Sequence, residues 1–406
     1  MDVEIRTIAE DELDSYFRAM EAAFSSLPND ADLERERTMA EVDRCFAAFH
    51  GPEIVGTAGA YTMPMTVPGG ELEVGFVTAV GVRPTHRRRG INTRLMRAQL
   101  DDARERGEAL EVLYASEGGI YGRYGYGLAT FGLSFEIETT RAAFVRGYAP
   151  AGEIRLVERD EAIEAILAIN DAGRGLRPGM VHLDERRLEY DLGHEHGEER
   201  NIPSLFVLHE GDEGLDGYAV YKMKHDWPHG FSRSVLSVRY LEATTPGAYA
   251  DLWRYVLDVD LVERVTAWNR PVDEPLLYLL QDPRRIRPTI VDNLWVRLVD
   301  VAAALRARKY AVDGHLCLEI ADPFCPWNEG RHVLDVSAGE GTVTAETDEP
   351  ADLVCSVNDI GAAYLGGPSF HQLQGAGRVR ELRDGALATA GAMFAWHPAP
   401  WSPYDY

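Results

Sequence analysis

Cysteine is scarce in this chain of 406 residues: Cys45, Cys317, Cys325 and Cys355 are the only four. They are scattered, with no C-x-x-C pair, which argues against a zinc ribbon and against a disulfide scaffold. Basic residues are outnumbered, with 41 Lys and Arg against 66 Asp and Glu and a formal net charge of −25. Such a field repels nucleic acid and anionic lipid and draws cationic small molecules; it also serves plain solubility. No apolar run reaches about 18 residues, so no segment reads as spanning a membrane. The first residues, "MDVEIRTIAEDELD", are acidic and lack an apolar core, so no signal peptide is expected and the cytoplasm is the default location.

Hydrophobic content of 45% and charged content of 26% fit a globular protein. The length exceeds one ordinary core, so two or three domains are expected. Pro150 and Gly152 punctuate the chain, and the residues after them echo its start. "EIRTIAEDE" at Glu4–Glu12 returns as "EIRLVERDE" at Glu153–Glu161. Each copy runs into an apolar-periodic stretch, "LDSYFRAMEAAF" and "AIEAILAIND", that reads as a helix. A duplicated βα beginning implies two related domains. A third segment opens near "DNLWVRLVDVAAALRARKY" and continues as short strands, "GHLCLEIAD", "HVLDVSAGEGTVTAET" and "ADLVCSVND", with a hairpin at Ala338–Gly341. The expected divisions are 1–150, 151–290 and 291–406. The tail "MFAWHPAPWSPYDY" is aromatic, unlike disordered tails, so it is expected to dock.

One stretch carries chemistry. In "LEVGFVTAVGV", Leu72, Val74, Phe76, Thr78, Val80 and Val82 alternate, which is a strand. Pro84 ends it. Ile91, Leu95, Met96, Leu100 and Ala103 then recur at helical spacing. The loop "HRRRG" therefore lies between a strand's end and a helix's beginning. A helix N-terminus offers unpaired N–H groups and a positive dipole end, Gly90 admits close approach, and Arg87, Arg88 and Arg89 add charge. The site suits a pyrophosphate; the alternative is a solvated basic loop. Neither a G-K-[ST] nor a G-x-G-x-x-G pattern is present. A second strand follows at Leu110, Val112 and Tyr114, expected parallel to the first. It leads into "SEGGIYGRYGYG", where Tyr121, Tyr124 and Tyr126 crowd among glycines. They suit core packing on a tight turn, or one of them suits an acid.

These residues resemble the GCN5-related N-acetyltransferases. In that family a strand, an [RQ]-x-x-G-x-[GA] loop and a helix bind the coenzyme A pyrophosphate. Here the loop reads Arg87-Arg88-Arg89-Gly90-Ile91-Asn92, with Asn where the pattern takes Gly or Ala. Tyr121 with Gly125 and Tyr126 matches the family's Y-x-x-x-G-[FY] setting. The blocks "PTHRRRG", "ASEGGIYGR", "LWVRLVDV" and "AALRARKY" are similar to the enhanced intracellular survival acetyltransferases of actinobacteria, and the resemblance covers essentially the whole chain. It implies an α/β and α+β architecture: tandem acetyltransferase-like domains with mixed central sheets, then a sterol-carrier-like α+β domain, assembled as hexamers.

The resemblance also implies roles. Acetyl-CoA is the co-substrate and no metal is needed. Backbone groups of Val80 and Val82 hold the pantetheine arm, Arg87, Arg88 and Gly90 the pyrophosphate, and Ser116 touches the cofactor. Tyr121 is the general acid, with Tyr124 and Tyr126 as packing residues. Phe24 and Asp405 are assigned to the substrate side, and the terminal carboxylate at Tyr406 is the base. His86, beside the phosphates, positions rather than deprotonates. The second copy keeps a strand at "SVLSVRYLEATT" but follows it with "PGAYADLW", which has no arginine loop, so it should not bind coenzyme A. "HEH" at His194–His196 lacks a third ligand at useful spacing, so a metal is not expected there. The acceptors implied are amines of small polycations, aminoglycosides among them, or of lysine side chains. The competing reading is a binding protein that carries an apolar ligand and senses coenzyme A without turnover.

Overall fold

The computed structural model describes residues 3–193, 201–345 and 347–404. The chain forms two compact units. One holds the chain up to Thr130 and again Leu294–Pro400; the other holds Phe131–Asn293 and Trp401–Tyr404.

The first unit contains a seven-stranded sheet in the order β1-β2-β3-β4-β5-β14-β6. Its strands are β1 (Glu4–Thr7), β2 (Phe46–His50), β3 (Glu53–Val67), β4 (Gly70–Val82), β5 (Leu110–Tyr114), β6 (Gly127–Leu128) and β14 (Leu294–Leu298). Only β4 and β5 pair in parallel, joined across the sheet by a helix. Helices α1 (Leu13–Ala23) and α2 (Asp30–Met39) follow β1, α3 (Ile91–Arg106) follows β4, and α4 (Gly118–Tyr121) follows β5. Tyr16, Phe17, Leu33 and Ala47 bury together where α1 and α2 pack, while Ile91 and Leu95 of α3 pack on Ala48, Val55 and Ala58. These are the apolar positions that the 3.6- and 2-residue periods select.

The second unit repeats this order as β8-β9-β10-β11-β12-β7-β13. Its strands are β7 (Phe131–Glu138), β8 (Glu153–Val157), β9 (Ser204–Gly211), β10 (Gly214–Lys224), β11 (Ser234–Ala243), β12 (Val262–Pro271) and β13 (Thr289–Asp292). Again a single pair, β11 with β12, is parallel. Helices α5 (Arg159–Gly173), α6 (Glu185–Gly193), α7 (Pro246–Asp258) and α8 (Leu276–Leu279) stand where α1 to α4 stand in the first sheet. The echo at Glu4 and Glu153 thus marks two equivalent edge strands.

The sheets exchange one strand each. β7 follows β6 in sequence yet lies in the second sheet, and β14 follows β13 yet lies in the first. The units therefore divide at Thr130 and at Asn293, not at Pro150 or residue 290, and "LWVRL" is not part of the third segment. The reason is pairing: Leu294–Leu298 runs antiparallel to Tyr114–Leu110 over five residues, and Leu294, Val296 and Leu298 are buried there.

The remaining residues of the first unit form a five-stranded sheet, β17-β16-β15-β18-β19. Its strands are β15 (Gly314–Ala321), β16 (Gly330–Ser337), β17 (Glu340–Ala345), β18 (Leu353–Ser356) and β19 (Arg380–Glu381). Helices α9 (Val301–Ala307), α10 (Val357–Ala363), α11 (Phe370–Gly375) and α12 (Ala386–Phe394) accompany it. Ala338 and Gly339, both at positive φ, make the two-residue turn of the expected hairpin. "ADLVCSVND" is a strand only as far as Ser356. There Ser356 donates through its N–H and its hydroxyl to the Asp359 carboxylate, at 2.8 and 2.6 Å, and α10 starts instead.

The tail is described through Tyr404. Within the second unit, Trp401 Nε1 donates to the Asn269 carbonyl at 3.0 Å, and the Tyr404 and Tyr218 hydroxyls lie 3.0 Å apart. Asp405 and Tyr406 lie outside the described residues, as do His194–His196. Among the described residues no helix is long and apolar enough to cross a membrane.

Candidate active site

A cleft of about 540 Å³ opens in the first unit beside the end of β4. β4 is bulged there. Ala79 sits in the left-handed region at φ 54°, and Ala79 and Val80 together face Ala58 alone. The Thr57 hydroxyl fixes the bulge by donating to the Ala79 carbonyl at 2.6 Å. β4 and β5 pair at Gly75↔Glu111 and Phe76↔Val112, and no later pair joins them among the described residues. Beyond the bulge the strands part, and Val80 and Val82 line the opening. A splayed strand edge can accept an extended ligand as though it were a further strand.

The arginine loop forms one end of the cleft. Arg88 adopts φ 61° and Gly90 φ 75°, and Gly90 is the residue preceding the first turn of α3. An L side chain is strained at such angles, so glycine suits the second position, and a strained Arg88 is the kind of feature that gathers at ligand sites. No side chain caps this helix end. Its first N–H groups and the positive end of its dipole are left for an anion. Arg87 uses Nε on the Val82 carbonyl at 3.2 Å and Nη2 on the Ala23 carbonyl at 2.7 Å. Its side chain therefore braces the loop against the ends of β4 and α1. His86 also lines the cleft, its Nδ1 2.8 Å from the Thr85 hydroxyl and its Nε2 3.4 Å from His50 Nδ1. Desolvation, and then the nearby Arg89 and His50, hold its imidazole below the usual value.

The second unit shows what the loop supplies by contrast. The N-terminus of α7 is capped by its own Thr245, whose hydroxyl accepts from Ala248 N at 3.2 Å. Asp216 in turn accepts from that hydroxyl at 2.7 Å, and no arginine stands in the turn. A side chain already occupies the place a phosphate would take.

The tyrosine turn forms the other wall, and its three rings differ. Tyr121 and Tyr124 line the cleft; Tyr126 is fully buried behind them, edge-on to Tyr121 at 6.0 Å between centroids. The Tyr126 hydroxyl donates to Glu111 at 2.7 Å. The Tyr124 hydroxyl accepts from Asn92 Nδ2 at 3.2 Å, and its ring packs 5.1 Å from Phe324. Burial pushes the Tyr121 hydroxyl above its usual value, with a hydrogen bond to Ser116 pulling it part-way back. A protonated phenol at the cleft wall can act as an acid.

The expected site residues that the structure describes therefore converge. Val80, Val82, Arg87, Arg88, Gly90, Ser116, Tyr121 and the half-exposed Phe24 all face this cleft, while Asp405 and Tyr406 lie outside the described residues.

Residues 4–129 and 179–298 each match a family model described as an acetyltransferase (GNAT) domain, and residues 301–403 match one described as a sterol carrier protein domain. The chain is 33% identical over 421 residues to N-acetyltransferase Eis of Mycobacterium tuberculosis, covering 97% of each chain. The chain belongs to the Eis-type GNAT N-acetyltransferases. An uncharacterized N-acetyltransferase of Streptomyces avermitilis is 41% identical over 420 residues, covering the whole of both chains. The crystal structure of Eis1 from Mycobacterium abscessus superposes with a TM-score of 0.86 at 32% identity, covering 99% of this chain and 100% of that one.

The protein is thus an N-acetyltransferase, and GNAT acetyltransferases use acetyl-CoA. The cleft in the first unit brings together an uncapped helix start, an open strand edge and a phenol. Two features of the site are not foreseen from the sequence. Asn358 of α10 donates to the Gly122 and Tyr126 carbonyls, at 2.7 and 2.9 Å. Glu111 sits buried behind the tyrosines, bonded by Tyr126 and, at 3.1 Å, by Gln99. Asn358 lies too far away in sequence to announce itself, whereas Glu111 alternates into the core of a visible strand and carries that signal.

Proposed function

We propose that this enzyme transfers the acetyl group of acetyl-CoA to primary amines of polycationic acceptors, aminoglycoside-like molecules or lysine side chains, by direct attack. The observation that carries this reading is that the uncapped, arginine-flanked start of α3 and the protonated Tyr121 share one cleft. Arg88 and the first N–H groups of α3 hold the pyrophosphate, with Arg87 bracing the loop. The edges of Val80 and Val82 hold the pantetheine arm. The terminal carboxylate at Tyr406 takes the ammonium proton through water. The neutral nitrogen then attacks the thioester carbon, a C–N bond forms and the C–S bond breaks. Tyr121 protonates the departing sulfur and recovers its proton from the one the nitrogen sheds. The formal net charge of −25 favours the approach of cations.

Release of free thiol from acetyl-CoA across a panel of amines tests the reaction. Release that rises with added polyamines and lysine peptides is expected. No amine-dependent release from any member of the panel overturns the reading. A C-terminal extension that leaves turnover intact overturns the assignment of the base.

A further inference from the structure

One side chain in the cleft has incomplete hydrogen bonding. Asn92 is the second residue of α3 and lines the cleft. Its Nδ2 donates to the Tyr124 hydroxyl, while its Oδ1 is buried with no hydrogen-bond partner among the described residues. A buried polar atom left unpaired costs free energy, and such atoms are uncommon in folded proteins. Half a turn of the amide would pair the oxygen with Tyr124 and leave the NH2 unpaired instead. In either orientation one amide atom lacks a protein partner. The anchor is firm, because the Tyr124 ring is buried among Met96, Val77 and Phe324. The amide is therefore held in the cleft wall.

The chemistry of the missing partner can be narrowed. A phosphate offers only acceptors, and the backbone N–H groups of α3 already suit it. A thioester likewise offers an acceptor. A secondary amide offers both a donor and an acceptor, so it satisfies Asn92 in either orientation. Acetyl-CoA carries its amides in the pantetheine arm, between the pyrophosphate and the thioester. Asn92 has the matching position: two residues along α3 from Gly90 and bonded to Tyr124 of the tyrosine turn.

We propose that Asn92 binds the pantetheine arm, its side-chain amide pairing with an amide of the arm, and that Tyr124 is the positioning residue that fixes its orientation. This rests on the reading of the cleft as the acetyl-CoA site. It also gives a purpose to the Asn where related loops take Gly or Ala.

Calorimetry with two nucleotides tests it. Coenzyme A carries the arm; adenosine 3′,5′-bisphosphate carries phosphates without it. In Asn92→Ala, coenzyme A affinity should fall by about three- to tenfold while the bisphosphate affinity holds. Arg88→Ala should weaken both. Tyr124→Phe should weaken coenzyme A binding in the parent protein and add little in the Asn92→Ala background, since the two act as one unit. Equal weakening of both nucleotides by Asn92→Ala, or of neither, overturns the proposal. An acceptor peptide also carries amides. A raised KM for such a peptide, with coenzyme A affinity unchanged, would move the contact to the acceptor and overturn the proposal too. Failure of the parent protein to bind either nucleotide would instead remove the acetyl-CoA reading beneath it.

Discussion

Asn358 donates its side-chain amide to the Tyr126 carbonyl at 2.9 Å and to the Gly122 carbonyl at 2.7 Å. The turn that carries Tyr121 is thereby held from the sterol-carrier-like segment. Gly127 makes the approach possible, because a Cβ there would run into the Asn358 carbonyl. The third segment contributes architecture to the cleft.

Asn358→Ala should accordingly act on two levels. It removes the Asn358 bond to the Tyr126 carbonyl and one of two bonds to the Gly122 carbonyl, which keeps Gly125 N at 3.2 Å, at a cost of about 1–3 kcal/mol. The melting temperature should drop, and turnover should fall further than coenzyme A affinity, because the turn carries Tyr121, the proposed acid, and not the proposed phosphate site. Thermal unfolding alongside steady-state kinetics checks this. Unchanged turnover in a folded variant would mean that the turn holds its shape without Asn358.

The three tyrosines should separate by phenylalanine substitution. Tyr121→Phe should fold and bind acetyl-CoA yet lose roughly 10²–10⁴ in turnover, the range for a removed general acid. Tyr124→Phe should cost far less turnover. Tyr126→Phe strips Glu111 of one of its two donors, leaving Gln99, and should show chiefly as lost stability. Kinetics and melting curves on the three proteins decide the matter, and a Tyr124 variant more crippled than the Tyr121 variant would reverse the assignment.

Glu111 has a pH signature. It is fully buried on β5, and burial pushes its carboxyl up to about 7. A carboxyl raised in the folded state binds its proton more tightly there than in the unfolded chain. The stability it confers is complete below its ordinary value near 4.5 and drains away as pH rises towards 7. Glu111→Gln keeps the shape and removes the titration. The variant should match the parent near pH 5 and exceed it by about 1–3 kcal/mol at pH 8. Melting curves at the two values test the sign. An equal gap at both would show that Glu111 is charged throughout.

Local pattern makes the cleft legible in the sequence. The alternation of β4, the period of α3 and the glycine between them define the loop from neighbouring residues alone, and Tyr121 stands at a visible strand end. The duplication is legible because β1 and β8 keep nearly the same residues. Long-range placement is not legible. "LWVRL" alternates in the same way whichever sheet it joins, so nothing local reveals that Leu294–Leu298 pairs with β5. The bond from Asn92 to Tyr124 and the bracing of the loop by Arg87 likewise depend on partners many residues away. The Ser356–Asp359 cap is local and could be read, but the apolar run before it looks like one continuous strand.

The strand exchange makes its own prediction about which pieces of the chain can fold. A fragment of residues 1–150 lacks β14, so β5 loses its partner over five residues and β6 loses its place in the sheet. It also carries β7, whose Leu133, Phe135 and Ile137 belong to the core of the second unit and would be exposed. Burying each such side chain is worth about 1.5–3 kcal/mol, so the fragment should aggregate or remain molten. The better cut follows the sheets. Thr130 Oγ1 accepts from Leu294 N at 2.8 Å, so the two ends already touch. Met1–Thr130 joined to Leu294–Pro400 by a few Gly and Ser residues restores all seven strands of the first sheet and omits β7. This chimaera should be soluble, melt cooperatively and bind coenzyme A, while the 1–150 fragment does none of these. Circular dichroism melts and calorimetry on both would decide it. A well-folded 1–150 fragment, or an insoluble chimaera, would show that β14 is not what completes the first sheet.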